Sequence, residues 1–212
     1  PKPSSAASDV YKRQPLAAMR INVEALQSYA SIDSQQELLA GIIRSNSRAA
    51  RLVNQLLLMM HSEAHIDTVM GPVPLATLVQ ERMAVLAPLA AERRLELEFY
   101  SQDEVWITGA RERLMSLIDN LIENAVKYSP EGGRVEVDIR TLEKSTQLRV
   151  SDSGPGISLD FRERVFDRFF RDPNQTQNGS GLGLAIVKAV AQQHNSTCLL
   201  YTSDAADEGL GV

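Results

Sequence analysis

Between residues 39 and 60, apolar positions return every three or four residues. Leu39, Asn46, Val53 and Met60 fall seven apart, with Ile42, Ala49 and Leu56 between them. This is the a/d seam of a packed helix. Arg44, Arg48 and Arg51 fall off the seam. Leu16, Met19, Val23 and Leu26 begin a matching seam, and the turn-like SIDSQ (31–35) separates the two. The pattern predicts a helical hairpin over 15–70. Two helices bury too little apolar surface to stand alone. The hairpin is therefore expected to pair with a second copy, as half of a dimeric four-helix bundle. Packing on its own globular domain is the alternative.

GPVP (71–74) is a breaker cluster and reads as a linker. Beyond it the pattern mixes periods. Residues 75–93 suit a helix, with Pro88 a candidate kink. LELEFY (95–100) alternates like a strand, and VWITG (105–109) is a weaker second candidate. Residues 111–128 form a long helix with Leu114, Ile118, Leu121 and Ala125 as its buried stripe. RVEVDIR (134–140) places Val135, Val137 and Ile139 on one face of a strand. QLRVSD (147–152) reads as another strand, and helices are expected over 159–167 and 182–194. Strands with segregated helices indicate an α+β chain whose second part, 73–197, is a two-layer α/β sandwich.

The two ends have neither period. SSAASDVYKRQ (4–14) and CLLYTSDAADE (198–208) admit a joint explanation in the genetic code. Codons for 1–14 can be chosen so that their reverse complement, read one base out of frame, encodes 198–211. Selection on a fold gives no reason for that relation. The strand resembles a translated transposase sequencing adapter, so 1–14 and 198–212 are expected to be extraneous and are set aside from the fold. Cys198, the sole cysteine, lies in the second of these ends, which removes disulfides and cysteine–metal sites from the rest.

The formal net charge is −5 and aromatics make up 5% of the chain. A mildly acidic, aromatic-poor chain argues against nucleic-acid binding. No apolar run approaches the roughly 18 residues of a membrane span.

Chemistry enters with DNLIENAVKYS (119–129). On a helix, Asn120, Asn124 and Lys127 lie at i, i+4 and i+7 and share a face. Two amides and an ammonium in line can hold a hydrated cation and phosphate oxygens. Mg²⁺ keeps several waters, so one amide oxygen suffices to anchor it. A solvated helix face gives the same pattern. DSGPGI (152–157) follows a strand directly. Its glycines leave room beside a sharp turn, and Asp152 can accept a hydrogen bond from an exocyclic amine; an ordinary Asp-Gly turn has the same residues. In NGSGLGLAIV (178–187), glycines open an apolar helix, whose free N–H groups make an anion site. The polar RDPNQTQNGS (171–180) before it reads as a lid loop. Phe166, Phe169 and Phe170 in VFDRFFRD (165–172) read as core, and Arg168 and Arg171 as surface charges unless a phosphate comes near.

The order of these motifs resembles the two-component sensor histidine kinases. DNLIENAVKYS looks like their N box, DSGPGI their G1 box, VFDRFF their F box and GSGLGLAIV their G2 box. The hairpin is similar to their dimerisation and phosphotransfer domain. Residues 73–197 resemble their ATP-binding domain, a sandwich of the Bergerat type. The resemblance implies ATP and Mg²⁺ as cofactors. By it Asn124 holds Mg²⁺, Lys127 contacts phosphate, Tyr128 contacts nucleotide, and Asp152 reads adenine in a pocket shaped by Gly154 and Gly156. Gly181, Leu182 and Gly183 close on the phosphates, and Arg171 approaches the γ-phosphate. Asn120 stands where related ATPases carry a water-activating Glu, and an amide there suits transfer to a side chain. These groups are expected to converge on a single cavity. The implied activity is autophosphorylation on histidine, then transfer to a response-regulator receiver domain. The implied setting is a homodimer at the cytoplasmic face of the bacterial inner membrane, tethered through upstream segments.

The family's phosphoacceptor lies in a stretch resembling H-E-L-R-x-P-L. Pro15-Leu16 follow the adapter-like string directly, so that His is expected upstream. Without it, and without the family's last strands, the chain as written is expected to be unstable and unable to autophosphorylate. His61, His65 and His194 lack the family context and read as surface or helix-end residues. His61 and His65 lie at i, i+4, but no third zinc ligand is evident. Two other functions stay open: another Bergerat-fold ATPase, and a nucleotide-binding pseudokinase. A helical interaction protein without ligand is a third.

Overall fold

The computed structural model describes residues 39, 41, 69–143, 145–173, 177 and 179–201. The predicted hairpin lies outside them, apart from helical Leu39 and Gly41 and the non-helical Val69 and Met70. So do His61, His65, the three seam-flanking arginines, the first 14 residues and the last 11. The chain divides into two units, Pro1–His61 and Ser62–Val212, and the architecture that follows is that of the second.

Its elements run β1 (Gly71–Pro74), α1 (Leu75–Glu92), β2 (Glu96–Ser101), β3 (Trp106–Gly109), α2 (Arg111–Tyr128), β4 (Arg134–Thr141) and β5 (Thr146–Asp152). A 3₁₀ turn (Leu159–Phe161) and α3 (Gly183–Gln193) complete it. β4 is central in a three-stranded sheet, parallel to β2 and antiparallel to β5. In this register Leu97 lies beside Val135, Phe99 beside Val137, and Val137 beside Val150. The period-2 apolar positions thus form one continuous face. Leu78, Val79 and Met83 of α1 and Ile118, Ile122 and Val126 of α2 pack against it as the core.

The opposite face of the sheet is ionic. Asp138 is 3% exposed, yet it pairs with Arg149 across the strands and with Arg140 at 3.0 Å. Two guanidinium groups offset the burial of one carboxylate. One side of the sheet therefore packs on helices and the other meets solvent, as an antiparallel edge permits.

Three expectations need correction. GPVP is a strand, not a linker: Gly71, Pro72, Val73 and Pro74 pair antiparallel with Gly109, Thr108, Ile107 and Trp106. Its two prolines are two residues apart and point the same way. Their missing N–H groups are confined to the side away from β3, the one arrangement in which prolines fit an edge strand. The helix expected over 159–167 shortens to the 3₁₀ turn followed by irregular turns. The buried stripe of α2 runs through Ile122, which is 0% exposed, and Leu121 is only half-buried. A 3.6-residue period places 114, 118, 122 and 125–126 in line better than a path through 121.

Pro88 lies inside α1 without ending it. The start of α1 has no side-chain cap of its own. Glu104 supplies one from the β2–β3 loop, accepting from the N–H of Ala76 at 3.0 Å, the N–H of Thr77 at 3.3 Å and the Thr77 hydroxyl at 2.5 Å. A carboxylate there also meets the positive end of the helix dipole. Arg82 ties α1 to α2 through a two-pronged contact with Asp119 at 2.7 and 3.0 Å.

Candidate functional site

α2 carries the first set of predicted groups. Its apolar stripe faces the sheet, so the neighbouring face, with Arg113, Asn120, Asn124 and Lys127, turns elsewhere. That face meets α3 and the glycine segment before it. Asn120 is 8% exposed. Its amide nitrogen donates to the Ser116 carbonyl at 2.7 Å, which leaves the amide oxygen aimed at Gly183. A β-carbon on Gly183 would lie 3.0 Å from Asn120 Oδ1 and 3.3 Å from Asn124 Nδ2. One on Gly179 would lie 2.6 Å from Lys127 Nζ. The late glycines are therefore seated directly on the two amides and the ammonium.

Lys127 Nζ also donates to the Tyr128 hydroxyl at 3.0 Å and sits 4.5 Å from that ring's centre. The last turn of α2 leads to the second motif. A β-carbon on Gly154 would lie 3.0 Å from the Tyr128 carbonyl oxygen and 2.6 Å from Asp152 Oδ1. Asp152, exposed at the end of β5, accepts from the Gly154 N–H at 2.8 Å. That bond fixes one carboxylate oxygen in the turn. Gly156 has φ +71°, a conformation that glycine adopts without strain.

Gly181 has φ +69° and accepts from the Phe169 N–H at 2.8 Å. Leu182 is 1% exposed, so its side chain anchors the segment, and its N–H donates to Ser180 Oγ at 3.3 Å. α3 begins at Gly183 with no side-chain cap. The N–H groups of its first turn are the free donors expected at an anion site.

The three phenylalanines are half-buried rather than core. Phe170 stacks tilted on Phe161 at 5.6 Å under the Arg164 guanidinium, and Lys188 lies 5.6 Å from the Phe166 ring. Arg171 is exposed and donates to the Gln177 carbonyl at 2.8 Å. It is thus held within the polar loop. Residues 174–176 and 178 of that loop lie outside the described residues.

The structure brings Asn120, Asn124 and Lys127 together with Gly179 and Gly183, and joins Tyr128 to Asp152 and Gly154. The glycine segment rests on the α2 face itself, because residues without side chains permit that approach. A shallow depression lined by Glu96, Gly132, Gly133, Arg134 and Ser153 contains none of the predicted site residues. No cluster of three or more His, Cys, Asp or Glu suited to a metal occurs among the described residues. A cation here would depend on amide oxygen and water.

Sequence reasoning missed His194. It is not merely a surface residue at a helix end: its Nε2 accepts from the Ala110 N–H at 3.0 Å. Gly109 was also missed, although a β-carbon there would lie 2.6 Å from Leu114 Cδ1. Neither had a signal, since Ala110, which donates to His194, lies 84 positions away.

Two family matches cover much of the chain. Residues 109–210 match the "Histidine kinase-, DNA gyrase B-, and HSP90-like ATPase" family. Residues 13–65 match the "His Kinase A (phospho-acceptor) domain". The sensor protein kinase PmrB of Pseudomonas aeruginosa is 34% identical over 194 residues, covering 90% of this chain and 40% of that protein. The chain spans well under half the length of the curated relatives it matches. Among solved structures, a mycobacterial sensor histidine kinase, MprB, is 34% identical with a TM-score of 0.55, covering 60% of this chain and 81% of that one. Histidine kinase ThkA, solved in complex with response regulator protein TrrA, has a TM-score of 0.68 at 17% identity, covering 91% of this chain and 55% of that one. That last likeness is one of fold.

Proposed function

The chain belongs to the sensor histidine kinase family, and on that premise we propose that it is the kinase core of a bacterial sensor that phosphorylates its own histidine from ATP and passes the phosphoryl group to a response regulator. One observation carries the reading: Gly183 and Gly179 lie directly against Asn120, Asn124 and Lys127, so closely that a β-carbon at either glycine would push those side chains aside. Backbone N–H groups, two amides and an ammonium thereby border one small region. Phosphoryl transfer asks for such positioning and charge neutralisation, with little covalent chemistry from the protein.

The roles follow from chemistry. The amide oxygen of Asn124 is a hard donor suited to Mg²⁺. When bound, Mg²⁺ neutralises charge on the phosphates. Lys127 adds a fixed positive charge. The main chain at Gly181, Leu182 and Gly183 offers N–H groups to phosphate oxygens, that of Leu182 in exchange for its bond to Ser180 Oγ. Arg171, held on the loop, supplies the cation for the terminal phosphate. Asp152 keeps one carboxylate oxygen on Gly154 and presents the other to an adenine amine, in a turn shaped by Gly154 and Gly156. Tyr128 lies between the two halves, its carbonyl against Gly154 and its hydroxyl on Lys127. Asn120 can orient a group but cannot take up a proton as a carboxylate does. That favours transfer over hydrolysis.

The partners proposed are a response-regulator receiver domain and a second copy joined through the hairpin, with no nucleic acid. No helix among the described residues is long and apolar enough to cross a membrane. The reading places the full-length protein at the cytoplasmic face of the inner membrane, held by segments upstream.

Titration of the chain with ATP in the presence of Mg²⁺ tests the site. Asp152→Asn replaces a charged acceptor by an amide and is expected to weaken binding tenfold or more, about the effect of one hydrogen bond to a charged group. An unchanged affinity would place the adenine elsewhere.

A further inference from the structure

Resting on that site, we propose that His194, with Gln193, is a positioning pair that sets the register of α3 along α2 and so seats the glycines on the amides.

The two helices run antiparallel. Going along α2, Ala110 and Arg113 meet His194 and Gln193. Asn120 and Asn124 then meet Gly183, and Lys127 meets Gly179. One end of this pairing is held by specific bonds. His194 Nδ1 lies 2.8 Å from the Val190 carbonyl. A carbonyl only accepts, so Nδ1 carries the proton. Nε2 lies 3.0 Å from the Ala110 nitrogen. A backbone N–H only donates, so Nε2 presents its lone pair. Both ring nitrogens are used, in one neutral tautomer.

Ala110 caps α2, is 0% exposed and lacks a side-chain cap. The imidazole thus satisfies a buried backbone N–H at the start of α2. Arg113, 8% exposed, adds a bond from Nη1 to Gln193 Oε1. Gly109 makes room: a β-carbon there would come 2.9 Å from the ring's Cδ2 and 3.0 Å from Nε2.

At the other end of α3 the Leu182 N–H donates to Ser180 Oγ at 3.3 Å, within the same segment. Gly183 approaches the Asn120 and Asn124 amides closely, and the helix begins without a side-chain cap. An eleven-residue helix is a rod about 16 Å long. A slide or rotation at His194 is carried along that rod to the glycines. A helix-end role would confine its effects to residues near 194. A positioning role reaches 183 and 179.

Hydrogen exchange on the 212-residue chain without nucleotide separates these. His194→Ala is expected to speed exchange over 179–186 by about tenfold, the effect of one lost hydrogen bond. Residues 135–139 of β4 should keep their protection. His194→Gln, whose Oε1 can accept from Ala110, should restore most of it. Faster exchange limited to 109–113 and 190–196 would overturn the proposal. If His194→Ala also exposes β4, the fold has been lost and Gln193→Ala decides. A several-fold acceleration over 179–186 supports the pair, and none refutes it. ATP titration of the same proteins judges the underlying site by itself. A wild-type chain that binds no nucleotide would sink the kinase site and leave the exchange result standing.

Discussion

Gly181→Ala is expected to abolish most nucleotide binding while leaving the fold standing. Gly181 sits at φ +69°, where an L residue costs about 1–2 kcal/mol. Space is a second obstacle. The new β-carbon would lie 2.7 Å from the Phe169 carbonyl carbon, 2.7 Å from the Phe170 oxygen and 2.9 Å from the Phe169 Cα. All three are backbone, so none can swing aside. The Phe169 N–H bond to the Gly181 carbonyl would be lost as the segments part. The summed penalty is about 2–3 kcal/mol, so ATP affinity should fall about 30-fold or more. Gly183→Ala is the control. Its neighbours are the Asn120 and Asn124 side chains at 3.0 and 3.3 Å, and side chains can yield. A loss of only a few-fold is expected. Calorimetric ATP titration of both variants checks this. Equal effects, or a milder one at 181, would contradict the backbone account of the glycine segment.

Ile122→Ala is expected to give the largest loss of stability of any single truncation in α2. Ile122 is 0% exposed, in the cluster that includes Leu78, Val79, Val135 and Val137. Removing its branches leaves a cavity in a dense interior, at a cost of about 2–5 kcal/mol. Leu121→Ala, one position earlier and half-buried, should cost about 1 kcal/mol or less. Urea melts of the two variants provide the comparison. If Leu121→Ala proves the more damaging, the rotation of α2 is wrong, and with it the placement of Asn120 and Asn124 opposite Gly183. The stability experiment is therefore also a test of the site.

Much of the fold was legible because its signals are local. The alternation of Val135, Val137 and Ile139 gave β4, and the apolar steps of 111–128 gave α2 at its observed limits. β1 was not legible. Two prolines in four residues argue against a strand, and only pairing with Trp106–Gly109 shows that their bare side faces away from the partner. The helix expected over 159–167 was not legible as what it is, a 3₁₀ turn over Leu159–Phe161 followed by turns, beyond which Phe169 sits at φ +62°.

The candidate site divides the same way. Asn120, Asn124 and Lys127 share a face because helix geometry fixes their azimuth, whatever they pack against. Asp152 ends a strand because the alternation stops there, and the glycines announce close approach by lacking side chains. So the sequence by itself determined which face of which element holds each candidate group. The tertiary structure decided that the glycines rest on the amides, and that His194 holds the far end of the same helix pair. Those are contacts between residues tens of positions apart, set by how α3 lies along α2. No period in a chain records the distance between two of its own surfaces.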